Sequence, residues 1–331
     1  SQAGSSAVSA RRNMLPIAET NEMKRPHLRG RFAPSPSGRF HIGNIFASLI
    51  AALVADEMVL RIEDLDPDRS KQEHIDAIMR DLEWFGFEWT SAVVYQSAED
   101  QQERYRHACE ELEAQGLVYP CFCTRADLHS ARAPHVGEEF IYQNTCKGIS
   151  AEVRSERMST ERYALRLDVA AAPNPLCFAD TFQGESCFDL VREAGDFIIK
   201  RSDGVFAYQL AVVVDDAASG IDSVVRGVDL LTSTPKQIYL QRLLGLSTPV
   251  YGHVPIFVDE SGRKLSKRNK DASLSYLIDD LSLSAEGYLA YCSGIIPEWE
   301  AMSIAELKRE ACLSALEGKR TIVWQSPTRH I

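Results

Sequence analysis

Apolar positions along the chain fall into two rhythms. Ile42 to Ala55 is almost continuously apolar and predicts a buried helix, opened by His41-Ile42-Gly43. Its densest stretch, Ile45 to Val54, is far short of the roughly 18–20 apolar residues that a membrane-spanning helix needs. Before it, Gly30-Arg31-Phe32-Ala33 predicts a short strand broken by Pro34-Ser35-Pro36-Ser37-Gly38. After it, Met58 to Ile62 predicts a second strand, with the charged group Glu63-Asp64-Leu65-Asp66 at its C-terminal end. A strand–loop–helix–strand unit favours a parallel α/β sheet, whose ligands bind beyond the carboxyl ends of the strands. Both the proline-rich loop and Glu63 belong at that end. Only Asp56 and Glu57 remain to turn the chain between helix and strand, so either the turn is unusual or a few residues are missing there.

Asp68 to Phe85 predicts a helix with Ile75, Ile78, Met79 and Leu82 on one stripe, and Gln101 to Gln115 another, ended by Gly116. Tyr208 to Val214 and Ser223 to Val225 read as β-branched strands. Thr234 to Leu244 reads as a helix, Lys264 to Lys270 as a basic loop, and the remainder from Ser273 as helical. No internal repeat is visible.

Length and composition narrow this picture. The 331 residues allow about two domains, and 45% hydrophobic with 25% charged residues is the profile of a soluble globular protein. Residues 1–28 stand apart: Ser1 to Ala10 is almost wholly Ser, Ala and Gly, which reads as a disordered arm or an expression remnant. Glu19 and Glu22 argue against a transit peptide. Eight unevenly spaced cysteines do not read as a disulfide scaffold, which favours a reducing, cytoplasmic setting. A net charge of −11 speaks against a nucleic-acid partner without excluding one, because phosphate contacts are local.

The chemistry begins at Arg31-Phe32-Ala33-Pro34-Ser35-Pro36-Ser37-Gly38, followed by His41-Ile42-Gly43-Asn44. A proline- and glycine-bounded loop before a helix offers backbone N–H groups and a histidine to a phosphate. Gly43, without a Cβ, lets a flat ring approach the backbone. Alone, this is also compatible with an ordinary strand-to-helix loop. The second element is Lys264-Leu265-Ser266-Lys267-Arg268, whose mobile ammonium groups can follow charge on phosphate oxygens, although a solvated basic loop looks the same. Arg31 and Arg226 can each clamp a carboxylate, Glu63 can face an ammonium, and Tyr208 and Ser35 can add hydrogen bonds. Glu63 could equally pair with Arg61 or Arg69, and Tyr208 could be a core aromatic. Asp215-Asp216, read as adjacent strand residues on opposite faces, suggests loop solvation or structural pairing.

With these motifs the chain resembles the class I aminoacyl-tRNA synthetases, and their glutamate branch in particular. Asn44 replaces the second histidine of the family's His-Ile-Gly-His form, a variation common in that branch, and an amide can still bond a phosphate oxygen. The resemblance implies an α/β, Rossmann-like parallel sheet. It places ATP, with its Mg2+, between His41, Gly43, Asn44, Lys264 and Lys267. It places L-glutamate among Arg31 to Ser35, Glu63, Tyr208 and Arg226. Cys121-Phe122-Cys123 followed by Tyr142 and Cys146 is a weak metal signal by spacing, with His129 and His135 as rival fourth ligands. The resemblance adds the set Cys121, Cys123, Tyr142 and Cys146, and with it a structural zinc ion. Cys109, Cys177, Cys187, Cys292 and Cys312 read as core residues.

The resemblance covers residues 29 to 296, and the stretch after it is too short for a large helical anticodon-binding domain. The pattern is most similar to the glutamyl-queuosine tRNA(Asp) synthetase family, which implies a cytoplasmic monomer acting on tRNA(Asp) that carries queuosine. The alternative is a catalytic fragment of a conventional glutamyl-tRNA synthetase. On this reading residues 29–118 and 163–272 are the two halves of the catalytic core, 119–162 the zinc-containing insertion, and 273–331 a short helical C-terminal region.

Overall fold

The computed structural model describes residues 26–36, 42–68, 70–124, 127, 141–265 and 285–325. Strand β1 (Arg29–Phe32), helix α1 (Ile42–Val54) and strand β2 (Glu57–Ile62) form the first unit, with β1 and β2 parallel and Arg31 beside Val59. Helix α1 carries no charge in its first or last turn and is buried at Ile42, Ile45, Phe46 and Leu49 to Val54, so it lies inside the molecule. The turn after it needs no extra residues. Asp56 and Glu57 both donate backbone N–H groups to the Leu28 carbonyl, at 2.8 and 3.2 Å, and Leu28 N–H returns a bond to the Asp56 carboxylate at 2.9 Å.

Helix α2 (Gln72–Trp84) buries Ile75, Ile78 and Leu82 but starts four residues later than the sequence predicts. Asp66 explains the delay: its side chain takes the Asp68 N–H and its carbonyl the Ser70 N–H, making a turn before the helix. Strand β3 (Val94–Tyr95) adds to β2, and helix α3 (Glu99–Ala114) follows, its chain leaving through Gly116 at φ +73°. Strands β4 (Val118–Cys121), β5 (Ala164–Leu167) and β8 (Phe197–Lys200) form an antiparallel sheet ordered β4-β5-β8, and helix α4 (Ala151–Thr160) precedes β5. Between β5 and β8 lies the hairpin β6 (Leu176–Asp180) and β7 (Gly184–Phe188).

Two sequence expectations fail here. Tyr208 to Val214 is not a strand but the first part of helix α5 (Tyr208–Ala218). A fully buried apolar run has no polar face to reveal its period, so β-branching misleads. Cys177 and Cys187 are not core residues. They face each other across the β6–β7 hairpin as an exposed disulfide, and Cys312 is exposed too.

Strand β9 (Ser223–Gly227), helix α6 (Thr234–Leu243) and strand β10 (Val250–Val254) complete the core; β10 is parallel to both β9 and β6. The Asp222 N–H donates to the Arg29 carbonyl at 3.1 Å, which brings β9 alongside β1. The C-terminal region is not all helical. Helices α7 (Ala285–Ser293) and α8 (Ile304–Glu310) are followed by strand β12 (Thr321–Val323), parallel to β11 (Ile256–Val258). Ile322 and Trp324 join the α1 core, so this edge is held by packing that the polar sequence around it does not advertise.

Candidate functional site

At the carboxyl ends of β1, β2 and β9 lies a cleft of about 490 Å³. It gathers Arg31 to Ser35 from the first loop, Gly43 and Asn44 from the start of α1, Glu63 beyond β2, Tyr208 at the head of α5, Arg226 from β9, and Lys264. His41 and Lys267 lie outside the described residues. Every other residue expected around ATP and glutamate lines this one cavity.

The charges in its floor are tied together. Arg61 and Glu63, two apart on an extended segment, point the same way and pair at 3.2 Å. Arg61 also meets Asp216 at 2.6 Å and Asp215 at 3.7 Å, and Asp216 in turn lies 3.5 Å from the Arg31 Nε. The helical form of α5 lets neighbouring Asp215 and Asp216 both turn toward Arg61, which adjacent strand residues could not do. Asp215 takes further hydrogen bonds from Gln96 and Tyr105, both at 2.7 Å. Burial pushes the Asp215 carboxyl up to about 6, against the pull of Arg61. Burial likewise lowers the Arg31 guanidinium below its ordinary value, opposed by Asp216. Ser35 donates to the second Glu63 oxygen at 3.4 Å, and the Glu63 N–H bonds the Pro34 carbonyl at 2.9 Å, so the loop and the strand end are fixed to each other.

Arg226 is equally constrained. Its Nε donates to His253 Nε2 at 3.1 Å, Nη2 to Thr234 Oγ1 at 2.8 Å and Nη1 to the Tyr208 hydroxyl at 3.3 Å. At the opposite wall Lys264 Nζ bonds Asp229 at 2.6 Å, while the Leu265 N–H bonds the Phe257 carbonyl at 3.0 Å and fixes the root of the basic loop to β11.

Away from the cleft, Cys121, Cys123 and Cys146 converge, their sulfurs within 4.8 Å of one another. Cys123 and Cys146 Sγ are 3.6 Å apart, and the Tyr142 oxygen lies 3.4 Å from Cys121 Sγ and 3.7 Å from Cys123 Sγ. A zinc ion 2.3 Å from each sulfur would space them by about 3.8 Å, and a sulfur and an oxygen by about 3.5 Å. The four donors therefore fit a tetrahedral zinc. The Phe122 N–H points to Cys146 Sγ and the Cys146 N–H to the Tyr142 oxygen, while the Arg166 guanidinium lies 3.7 Å from the Tyr142 ring centroid. These donors and that cation suit an anionic ligand set. Burial pushes the Cys123 thiol up to about 11. At Cys121 burial is outweighed by the Tyr142 and Arg166 hydrogen bonds, and the thiol sits below its ordinary value. His129 and His135 lie outside the described residues.

Comparison with known proteins decides the family. The model of the catalytic domain of class I tRNA synthetases (E and Q) matches residues 27–292. A glutamyl-Q tRNA(Asp) synthetase of Nitratidesulfovibrio vulgaris is 41% identical over 292 residues, covering 82% of this chain and 88% of the relative. One of Geobacter sulfurreducens is 44% identical over 256 residues, covering 76% and 78%. The chain belongs to the glutamyl-Q tRNA(Asp) synthetase family.

As a member of that family it is a ligase. Its fold is the α/β class I synthetase fold: it superposes on a glutamate-tRNA synthetase from Elizabethkingia anophelis with a TM-score of 0.74 at 21% identity, over 91% of this chain and 68% of the other. In this synthetase the second layer of the site carries little sequence signal. The sequence names Arg61 as one local partner for Glu63, and the structure forms that pair at 3.2 Å. Thr234, His253 and Asp229 belong to no spacing pattern, and only the fold brings the first two behind Arg226 and the third beside Lys264.

Proposed function

We propose that this synthetase activates L-glutamate with ATP and Mg2+ and transfers it to the queuosine base at the wobble position of tRNA(Asp). The observation that carries the reading is the cleft itself, where Arg31, Arg226 and Glu63, each held by its neighbours, line one cavity, while the other carboxylate there, Asp229, is paired with Lys264. Glutamate presents two carboxylates and one ammonium, the complementary set. In this reading Arg31 and Arg226 take the carboxylates, Glu63 the ammonium, and Tyr208 and Ser35 add hydrogen bonds, with Phe32, Ala33 and Pro34 as the wall. His41, Gly43 and Asn44 hold ATP, and Lys264 and Lys267 follow the phosphate charge. A glutamate carboxylate oxygen attacks the α-phosphorus, the bond to the β-phosphate oxygen breaks, and pyrophosphate leaves. A hydroxyl of the queuosine cyclopentene-diol then attacks the acyl carbon, loses its proton, and AMP leaves. Relatives named for this acceptor support the second step. The proposed boundaries are a core of 29–118 and 163–272, an insertion at 119–162, and a C-terminal region from 273. The setting is cytoplasmic; in a reducing compartment the exposed Cys177–Cys187 pair would be held as thiols.

Two assays test the reading. Glutamate should drive ATP–pyrophosphate exchange without any tRNA, and an equal rate with aspartate or glutamine would overturn the substrate. Labelled glutamate should then enter tRNA(Asp) bearing queuosine, including tRNA trimmed of its 3′-terminal adenosine, and should not enter tRNA lacking queuosine. Charging that ignores queuosine but needs the 3′ end would make the chain a conventional glutamyl-tRNA synthetase core.

Cys121, Cys123, Tyr142 and Cys146 would hold one structural zinc, with no ligand position left open for chemistry. Among the described residues their own core adds Tyr119 and Phe122 as buried apolar side chains, with Ile149 and Tyr163 packed against it, and a bound ion would tie this small core together. Elemental analysis should find about one zinc per chain, and Cys146→Ser should lose it. Protein without zinc that resists protease at the insertion as well as wild type would refute the site.

A further inference from the structure

Behind Arg226 runs a buried chain of polar groups that the reading of the cleft leaves unused. Asp180 and His253 are fully buried, with relative exposures of 0% each. Asp180 Oδ1 accepts the backbone N–H groups of Phe182, Gln183 and His253, each at 3.0 Å. Its Oδ2 lies 2.5 Å from His253 Nδ1. On the far side of the ring, Nε2 meets Arg226 Nε at 3.1 Å and Thr234 Oγ1 at 3.1 Å.

Donor and acceptor counting allows one arrangement. An ionised carboxylate only accepts and a guanidinium only donates. Nδ1 must therefore carry the proton, donated to Asp180, and Nε2 must be bare to accept from Arg226. A proton on Nε2 would put two donors nose to nose and, with Nδ1 also protonated, two buried cations side by side. The charged groups facing the ring are Asp180 and Arg226, with Arg31 further off, and Tyr251 stacks on it at 6.2 Å. Burial, the largest influence, lowers the His253 imidazole below its ordinary value and keeps it neutral. Arg226 thus spends three of the five N–H donors of a guanidinium on His253, Thr234 and Tyr208, and among the described residues two are left over at a residue lining the cleft.

We infer that Asp180 and His253 are positioning residues: by fixing the histidine tautomer they lock the Arg226 guanidinium so that its two remaining N–H groups meet one substrate carboxylate. The inference rests on the proposed glutamate site. It separates a pre-formed clamp from an arginine free to swing, and a pre-formed fork loses less side-chain freedom on binding.

The decisive substitution is Asp180→Asn. It keeps an oxygen for the three backbone N–H groups but sets an NH2 against Nδ1, so the proton moves to Nε2 and confronts Arg226. The KM for glutamate in pyrophosphate exchange should rise about tenfold or more, the loss of one well-placed hydrogen bond, while the KM for ATP stays within about a factor of two. In a His253→Gln background, where an amide oxygen can serve Arg226 and no tautomer exists, Asp180→Asn should add little. An equal rise in both backgrounds, or none in the wild-type background with the fold intact, overturns the relay. Should Asp180→Asn fail to fold, nitrogen NMR of labelled histidine in the unaltered protein still decides: Nδ1 protonated and Nε2 bare at neutral pH is required, and a proton on Nε2 refutes it. Arg226→Lys keeps the two readings apart. If it leaves the glutamate KM unchanged, the glutamate site itself is wrong; if it raises that KM and Asp180→Asn does not, only the relay is.

Discussion

Replacing Arg61 with Met is expected to destabilise the protein by roughly 3–5 kcal/mol, the range for removing one partner of a buried ionic network. Arg61 is 1% exposed and stands among Glu63, Asp215 and Asp216. Methionine fills much of the volume but removes the charge that faces all three carboxylates, although Asp216 keeps Arg31 Nε at 3.5 Å. The pH dependence has a definite sign. Asp215 holds its proton to about pH 6 in the folded chain, against about 3.9 when unfolded. Its contribution to stability is therefore complete below about pH 4 and is lost as the pH rises through 6. Arg61 limits that loss, because its charge favours the ionised form. Without it the Asp215 carboxyl climbs further and the loss above pH 6 grows. The deficit of Arg61→Met against wild type, from urea unfolding, should be largest near pH 7–8 and narrow toward pH 5. A deficit that is flat or widens toward pH 5, or that stays below about 1 kcal/mol, would show that the network is not held by charge.

How much of this was legible in the sequence divides along physical lines. The β1–α1–β2 unit was readable because its apolar runs are bounded by proline, glycine and charge, and its boundaries moved by a residue or two. Arg31 to Ser35, Gly43, Asn44, Glu63 and Lys264 belong to short local motifs that the sequence displays, whereas Tyr208 and Arg226 joined them through the family resemblance. Helix α5 was not, since a run buried on all sides shows no period, and its strand-like valines pointed the wrong way. The structural pairing expected of Asp215 and Asp216 is met at Arg61, but it comes from helical geometry and not from a strand. The relay behind Arg226 joins Asp180, Arg226, Thr234 and His253 through separate elements, a relation that exists only in space. The Cys177–Cys187 pairing likewise depends on a hairpin register that the intervening residues do not announce.

The second large effect is at Glu63. On the proposed reading, Glu63→Gln should raise the KM for glutamate in pyrophosphate exchange by on the order of 10²-fold or more, since truncating one side of a desolvated charge pair costs about 2–5 kcal/mol. The amide matches the carboxylate in shape, so the cleft is preserved. Its orientation is dictated by its neighbours. Arg61 Nη2 only donates, so the amide oxygen must face it, and the NH2 must turn to Ser35, whose hydroxyl can rotate to accept. The substrate ammonium then meets a neutral group where it had a full negative charge. Stability should change far less than in Arg61→Met, because Arg61 keeps Asp215 and Asp216 as partners. Ser35→Ala gives the scale for losing a neutral bond only: its hydroxyl lies 3.4 Å from Glu63, and its removal should shift the KM about threefold. The KM for ATP distinguishes the explanations. If it holds within about twofold while the glutamate KM rises, Glu63 faces the amino group. If both rise together, the substitution has deformed the cleft; if neither moves, Glu63 is a structural partner of Arg61 alone, and the ammonium site must be sought elsewhere in the cavity.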